Sequence, residues 1–240
     1  MSKDLKIYFE NMEKPWGNLF YQIVWEQLPS VNNAKILDFG SGFGITANHL
    51  AKNNHVVAIE PNSEMVEMSV QENTYQQIIG SLAQLKQQKD RSFDLIICHN
   101  VLEYTLERKE IVKEFYRVLK PNEVISIVKH NHIGRIMQKV VFENNIDEAL
   151  SLLDGASIQA LNFGQVHYYE WKDINGWIKD LHIKKENVFG VRTFWGLQQN
   201  NEVKYDPTWQ EKMFQMEMRV SNTEEFKKIS FYHHYLLKKV

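Results

Sequence analysis

Short apolar runs alternate with amphipathic segments along the first half of the chain. Five runs are rich in strand-favouring residues: 35–39, 55–60, 75–79, 93–98 and 124–129. Between the last two, apolar residues recur at helical spacing from Ile111 to Leu119, and Pro121 then ends the pattern. A shorter amphipathic helix is predicted from 62 to about 73. Continuous apolar strands separated by amphipathic helices predict a parallel sheet that is covered on both faces.

The regular alternation breaks after Asn131. Residues 133–162 predict helices and loop inserted before the sheet resumes, and 171–181 predict another helix. Two late strands are predicted at 187–191 and 229–238, the second as an antiparallel edge. The predicted fold class is α/β, a Rossmann-like doubly wound, mostly parallel seven-stranded sheet with an antiparallel edge strand and helical insertions. We predict a single domain over 1–240, made of an N-terminal helical segment, a core, a helical cap and a part that completes the sheet: 1–33, 34–130, 131–185 and 186–240.

Composition narrows the classes of function. The net charge of −2 excludes a protein that coats nucleic acid through bulk charge, but it allows a local basic patch. The single cysteine, Cys98, lies in an apolar run, so we predict a buried thiol, no disulfide and no metal site. The sequence has no signal peptide and no long apolar run, which predicts a cytoplasmic protein without a membrane segment. A local excess of basic residues could receive an RNA backbone: Arg108, Lys109, Lys113, Arg117, Lys120, Lys129, Arg135 and Lys139.

The clearest chemical signal lies where the first predicted strand ends. Asp38 precedes a turn that contains Gly40, Gly42 and Gly44, and a helix follows. Glycines permit positive φ angles and let a ligand approach the backbone. Glu60 ends the next strand, about 20 residues after the first glycine, where a carboxylate accepts the hydroxyl protons of a ribose. The pattern predicts a site for a nucleotide-like ligand.

Asp38 discriminates among such ligands. A carboxylate at this point attracts an ammonium group and repels a pyrophosphate. The pattern therefore favours S-adenosylmethionine (SAM), which carries an amino-acid ammonium, over NAD. A plain tight turn, with Asp38 as a turn residue or helix cap, is the alternative.

Four successive segments resemble the motifs of class I SAM-dependent methyltransferases: 37–44, 58–65, 93–103 and 116–121. The resemblance implies SAM as the cofactor, with contacts in the first two motifs at Asp38, Gly40, Ser41, Gly42, Gly44, Glu60, Pro61 and Met65. It also places the adenine near the turn after the third strand, at Ser81, Leu82 and Ala83. The family commonly has an Asp in that turn, where this chain has Ser81.

A narrower resemblance points to the bacterial tRNA methyltransferases that esterify the carboxylate of 5-carboxymethoxyuridine. It rests on 99–104, on Asn131 with Gly134, on 190–194, and on a late helix with Met216 and Glu217. In that group the acceptor is a preformed carboxylate, so no dedicated base is needed. The resemblance implies that Arg192 holds the carboxylate or a phosphate with its planar fork. A surface arginine in a loop is the alternative.

The sequence allows more than one role for His99 and more than one methyl acceptor. His99 is predicted to act as a base or to donate a hydrogen bond to SAM or to the acceptor, or it only packs at a strand end. The preferred function is methyl transfer from SAM to an oxygen, first to a carboxylate-bearing modified wobble uridine of tRNA. The alternatives are a small-molecule O-methyltransferase acting on an organic acid, phenol or quinone-like acceptor, and a SAM-binding protein without catalysis. The sequence does not determine the oligomeric state.

Overall fold

A computed structural model describes residues 3–156, 159–160 and 164–240. Its internal contacts divide the chain into two compact units. The glycine-turn unit consists of Pro29–Val128, Tyr169–Asn187 and Tyr235–Val240. The Arg192 unit consists of Met1–Leu28, Lys129–Tyr168 and Val188–His234. The single domain and its four parts stay a prediction.

The described strands confirm the predicted α/β class. They are β1 Lys35–Phe39, β2 His55–Glu60, β3 Gln76–Ile79, β4 Phe93–His99, β5 Leu119–His130, β6 Gln159–Ala160, β7 Gly164–Gln165, β8 Ile183–Val191 and β9 Tyr232–Lys239. Seven of them form one sheet in the order β3-β2-β1-β4-β5-β9-β8, with six parallel strands and one antiparallel strand. The short strands β6 and β7 pair antiparallel with each other.

The position of the last strand differs from the expectation. Strand β9 lies between β5 and β8, so β8 is the outer strand at that end of the sheet. The sequence predicts instead that the strand at 229–238 is the edge of the sheet. Neighbours in a sheet are set by the path of the connections, and the alternation of strands and helices does not encode that path.

The inner strands explain why the apolar runs are continuous. In β1, Ile36 pairs with Val56 of β2 on one side and with Leu95 of β4 on the other. Ile36 and Leu95 are fully buried, as a strand covered on both faces requires. The bounds of β1 and β2 coincide with the predicted ones. Cys98 is buried in β4, and burial raises the pKa of its thiol well above the usual value, so the predicted buried thiol is confirmed.

The helices of the glycine-turn unit are α3 Ile45–Leu50, α4 Ser63–Glu67, α5 Leu82–Lys86, α6 Arg108–Val118 and α9 Trp171–Ile178. Helix α4 is shorter than predicted, because the chain after it forms other hydrogen bonds. The backbone N–H of Val70 donates to Phe43 O at 2.9 Å. The backbone N–H of Asn73 donates to Asn48 Oδ1 at 2.8 Å. Long-range hydrogen bonds thus replace the last predicted turns of the helix.

Helix α6 runs directly into β5, which begins before the apolar run predicted as a strand at 124–129. Phe93 pairs with Leu119 and Leu95 pairs with Val124, so β5 contains extra residues at an irregularity. Within it, Asn122 has a φ of +65°. The proline ends the helix, as predicted, but the strand begins earlier than the apolar run because the irregular stretch still pairs with β4.

The described helices of the Arg192 unit are α1 Lys3–Met12, α2 Pro15–Glu26, α7 His132–Val141, α8 Ile146–Leu153, α10 Pro207–Val220 and α11 Glu224–Ile229. Proline occupies the first turn of α2 and of α10, where its missing N–H costs nothing. Helices α7 and α8 lie in the predicted insertion, whose residues 157–158 and 161–163 are outside the described part. Among the described residues, none of the helices has both the length and the apolar content needed to cross a bilayer.

Candidate functional site

The turn after β1 has the backbone geometry that its glycines predict. Gly40, Gly42 and Gly44 have φ angles of +75°, +56° and +70°. The N–H of Gly40 donates to Ile59 O at 2.7 Å, which fixes the turn against the end of β2. A Cβ atom on Gly40 would collide with the side chain of Val101, just beyond the end of β4. Only glycine satisfies both the φ angle and this close approach.

Glu60 joins the turn to the neighbouring strand. Its Oε2 accepts the N–H of Gly42 at 2.9 Å, and its Oε1 accepts the N–H of Asn62 at 2.9 Å. Burial raises the pKa of this carboxyl group, and the two backbone N–H groups oppose that shift. Each carboxylate oxygen retains capacity for another hydrogen bond. The carboxylate is therefore held in one orientation and can still accept from a ligand hydroxyl.

Asp38 is buried at the end of β1 with an unused acceptor. The side chain is 3% exposed, and its Oδ2 has no hydrogen-bond partner among the described residues. Burial, together with repulsion from Glu60, raises the pKa of Asp38 to about 7. A backbone hydrogen bond from Ala47 opposes this shift, but a buried carboxylate with one unpaired oxygen is still costly. A cationic group of a ligand would supply the missing partner, so the residues present fit the amino-acid end of SAM.

The exit of β4 contributes two polar side chains. His99 Nε2 lies 2.7 Å from Ser126 Oγ, which orients the imidazole ring. Asn100 has a φ of +55°, and its buried Oδ1 has no hydrogen-bond partner in the described part of the chain. Asn100 was absent from the predicted site. Asparagine is one of the few residues that tolerate a positive φ, so its position directly after a strand was a usable signal.

The other predicted cofactor residues lie in the same unit. Met65 is buried, and its Cε would lie 3.3 Å from a Cβ on Gly42. Ser81 is the N-cap residue of α5, and its N–H donates to Gln84 Oε1 at 2.9 Å. Leu82 is buried, whereas the remaining ones are half-buried or exposed: Ser41, Pro61, Ser81 and Ala83. Their contacts with SAM stay a prediction.

Arg192 lies in the Arg192 unit and is not a surface residue. Its side chain is 7% exposed, its φ is +60°, and its Nε has no hydrogen-bond partner among the described residues. The guanidinium carbon lies 5.4 Å from the ring centroid of Trp16 and 5.3 Å from that of Phe231. Burial lowers the pKa of Arg192, while Tyr232 and Glu217 oppose the shift. A strained backbone and a buried, incompletely paired guanidinium are features that occur at binding sites.

Glu217 of α10 holds the segment that follows Arg192. Its two carboxylate oxygens accept the backbone N–H groups of Thr193, Phe194 and Trp195 at 2.6, 2.8 and 2.9 Å. Arg192 and Trp195 both line a cavity of about 480 Å³ whose lining lies within this unit. Glu217 is thus a positioning residue for this part of the lining. It belongs to the late helix that carried the narrower resemblance.

Asn131 and Gly134, which also carried that resemblance, support the same unit from inside. Asn131 Nδ2 donates to Lys228 O at 2.9 Å and to Ser230 O at 2.8 Å. A Cβ atom on Gly134 would collide with the backbone of Ser230. Both residues fix the chain just before Phe231, another lining residue of the cavity.

Several of the basic residues that were predicted as a possible RNA-binding patch form ion pairs with nearby carboxylates. Arg117 pairs with Asp90 and Glu114, and Lys120 Nζ lies 2.6 Å from Asp94 Oδ1. Lys139 Nζ pairs with Glu143 and Glu148. These residues are held by local carboxylates, which weakens the argument that this set forms an RNA-binding patch.

Comparison with known proteins finds similarity over part of the chain. Residues 37–127 match the family described as a methyltransferase domain. The tRNA 5-carboxymethoxyuridine methyltransferase of Escherichia coli strain K12 is 28% identical over 142 residues, covering 53% of this chain and 54% of that protein. The thiol S-methyltransferase TMT1B of Rattus norvegicus is 26% identical over 129 residues, covering 51% of this chain and 52% of that protein. The chain therefore matches about half the length of these curated relatives.

A solved structure extends the similarity in fold. The crystal structure of an S-adenosylmethionine dependent methyltransferase from Mesorhizobium loti matches with a TM-score of 0.60 at 13% sequence identity, covering 92% of this chain and 97% of that chain. The findings confirm the predicted resemblance to class I methyltransferases and the prediction of SAM as cofactor. The part of this chain that matches a methyltransferase domain is therefore residues 37–127.

Proposed function

We propose that this protein transfers the methyl group of SAM to an oxygen acceptor, in the first place the carboxylate of a modified wobble uridine in tRNA. The observation that supports SAM as the methyl donor is the buried Asp38, whose Oδ2 has no partner in the described part of the chain. It lies beside a glycine turn that is hydrogen-bonded to Glu60. The name of the Escherichia coli relative supports the tRNA acceptor. A cytoplasmic location agrees with this substrate and is part of the proposal.

Different residues of the glycine-turn unit suit the different parts of SAM. Asp38 attracts the ammonium of the amino-acid end, and Glu60 accepts from the ribose hydroxyls. The glycine turn leaves room for the ligand beside the backbone, and Ser81, Leu82 and Ala83 border the adenine. SAM supplies a methyl group on a positively charged sulfur, which makes the methyl carbon electrophilic.

A carboxylate acceptor suits a site in which no side chain has to act as a base. It is already an anion at neutral pH, so its oxygen attacks without losing a proton to a base. His99, oriented by Ser126, then serves to position and not to deprotonate. Arg192 binds an anionic group of the acceptor nucleotide, either the carboxylate or a phosphate, because its planar guanidinium forms two parallel hydrogen bonds with either.

Two other functions use the same SAM site. One is transfer to a small organic acid, phenol or quinone-like molecule, which would also place an anion against Arg192. The other is SAM binding without transfer. The buried Arg192 argues for an acceptor site and hence against binding alone, since a buried cation without a ligand is a cost in stability.

The decisive experiment supplies labelled SAM together with separate acceptors. They are RNA containing 5-carboxymethoxyuridine, the same RNA with unmodified uridine, small carboxylic acids, phenols and thiols. We expect label in the modified RNA alone, as a base-labile ester. Label in a small-molecule pool with none in RNA would reject the tRNA assignment, and saturable SAM binding with no label anywhere would reject transfer.

A further inference from the structure

The cavity of the Arg192 unit is lined by cations and not by acids. Its lining contains four basic side chains, Lys14, Arg135, Arg192 and Lys204, and no Asp or Glu. None of the four forms an ion pair with a carboxylate in the described residues; Arg135 Nη1 instead donates to Gln138 Oε1 at 3.0 Å. Lys14 Nζ donates to Asn11 Oδ1 at 2.6 Å. The cavity therefore carries positive charge that its own walls do not neutralise.

Two of these cations are buried. Arg192 and Lys204 are each 7% exposed. Lys204 Nζ donates to the neutral Asn201 Oδ1 at 3.0 Å and lies 4.4 Å from the ring centroid of Phe142. Burial, and then repulsion by Arg192, lowers the pKa of Lys204. Two buried like charges in one cavity repel each other, so an anion that contacts both would relieve this repulsion.

Aromatic rings form much of the remaining wall. Trp16, Phe142, Trp195, Phe231 and Tyr232 all line the cavity. Such rings strengthen the field of a nearby cation by excluding water, and they offer flat faces to a planar ligand. The volume of about 480 Å³ falls within the ordinary range for small-ligand sites.

We propose that this cavity binds one nucleotide, with its phosphate against Arg192 and Lys204 and its base against the aromatic wall. A nucleotide combines the two properties that the lining selects, a multiply charged anion and a flat ring. Lys204 is thus a ligand-binding residue that the sequence motifs do not indicate. The inference deepens the proposed function, on which it rests, because it names the ligand class of the Arg192 site.

Free nucleotides and nucleotides within an RNA chain share this chemistry. We therefore measure binding by titration calorimetry without SAM, using uridine 5′-monophosphate, uridine, and a short anticodon stem-loop RNA. We expect saturable binding of the monophosphate and at least tenfold weaker binding of uridine, because the charged hydrogen bonds are lost. Tighter binding of the stem-loop than of the monophosphate would identify RNA as the source; the reverse would identify the free nucleotide.

Substitutions of residues that line the cavity test whether the monophosphate binds there. Lys204→Met should weaken monophosphate binding about tenfold or more, and Arg192→Lys should weaken it by a similar factor because the fork is lost. Lys212→Met, an exposed lysine on α10 in the same unit, is the matched control and should leave binding unchanged. Thermal unfolding of each variant checks that it is folded.

Two results would overturn the inference. One is the absence of saturable binding of both the monophosphate and the stem-loop by the folded wild-type protein. The other is equal binding by Lys204→Met, Lys212→Met and wild type. Because no SAM is present, failure here is distinguishable from failure of methyl transfer, which the labelled-donor experiment measures.

Discussion

Asp38 and Glu60 are two buried carboxyl groups whose charges repel, and the glycine turn depends on one of them. Glu60 is satisfied by two backbone N–H groups, whereas Asp38 keeps an oxygen without a partner. Glu60 therefore has a structural reason to be acidic. Asp38 accepts a backbone hydrogen bond from Ala47, but its Oδ2 has no partner within the described residues. A buried carboxylate that costs stability and keeps one oxygen unpaired is best explained by a ligand that pairs with it.

Replacing Glu60 by Ala should weaken SAM binding by about 1.5–3 kcal/mol, because an acceptor shared by two ribose hydroxyls is lost. Titration calorimetry measures the change. Glu67→Ala, on the exposed side of α4, is the control and should bind like wild type. Because Glu60 also holds Gly42 and Asn62, the unfolding midpoint of the ligand-free variant should fall as well. Unchanged SAM affinity would show that the ribose lies elsewhere.

The raised pKa of Asp38 predicts how SAM binding depends on pH. The ammonium of SAM pairs with the ionised carboxylate, so the affinity of wild type should rise as the pH passes upward through about 7. Asp38→Asn cannot ionise, and its affinity should be low and nearly constant from pH 6 to 8. Calorimetry at several pH values tests this; parallel profiles for both proteins would exclude Asp38 as the partner of the ammonium.

The raised pKa of Asp38 also determines whether the stability of the ligand-free protein rises or falls with pH. A carboxyl group whose pKa is about 7 in the folded state and 3.8 ordinarily binds more protons in the folded state than in the unfolded state. Its contribution to stability is therefore lost as the pH rises through that window. At pH 8 ligand-free Asp38→Asn should accordingly have a higher free energy of unfolding than wild type, and urea unfolding measures the difference. A lower free energy for the variant would contradict the assignment of a costly buried charge.

At the scale of elements, the turn between β1 and α3 depends on glycine for two separate reasons. Gly40 has a positive φ, and it also lies against Val101. Gly40→Ala should reduce the free energy of unfolding by about 2 kcal/mol or more, since backbone strain and steric overlap add. Urea unfolding is the measurement. Adding Val101→Ala should recover part of the loss by removing the overlap.

Gly176 is the matched control for this substitution. It lies inside α9 of the same unit, and nothing lies within 4 Å of a Cβ built there. Gly176→Ala should therefore raise the free energy of unfolding by up to about 1 kcal/mol through helix propensity. If the two alanine variants were equally destabilised, the special geometry of the turn would not be the cause.

Element boundaries show where sequence reasoning works and where it does not. The bounds of β1 and β2 were predicted from apolar runs because burial on both faces requires such runs. Helix α4 was predicted too long because the bond from Val70 to Phe43 joins distant segments. The start of β5 was missed because an irregular stretch still pairs with β4. Local patterns contain no information on such pairings.

At the scale of the whole molecule, the predicted site residues fall into two units. All of the predicted SAM contacts lie in the glycine-turn unit, and Arg192 lies in the other. Arg192→Ala should therefore leave SAM affinity unchanged while it abolishes most methyl transfer to the acceptor. Calorimetry with SAM and label incorporation measure the two properties separately. Arg219→Ala, an exposed arginine on α10, should retain both. Loss of both properties in Arg192→Ala would indicate a role in folding.

The sequence by itself determined the alternation of strands and helices, the glycine turn, and the carboxylates at the ends of β1 and β2. These features are local, because strand periodicity, positive φ and strand ends depend on neighbouring residues. Only the tertiary structure decided that β9 lies inside the sheet, that Asn100 Oδ1 is buried with no partner among the described residues, and that Lys204 and Arg192 line one aromatic cavity. Such features join residues that are far apart in the chain, and the packing of side chains determines their burial and charge.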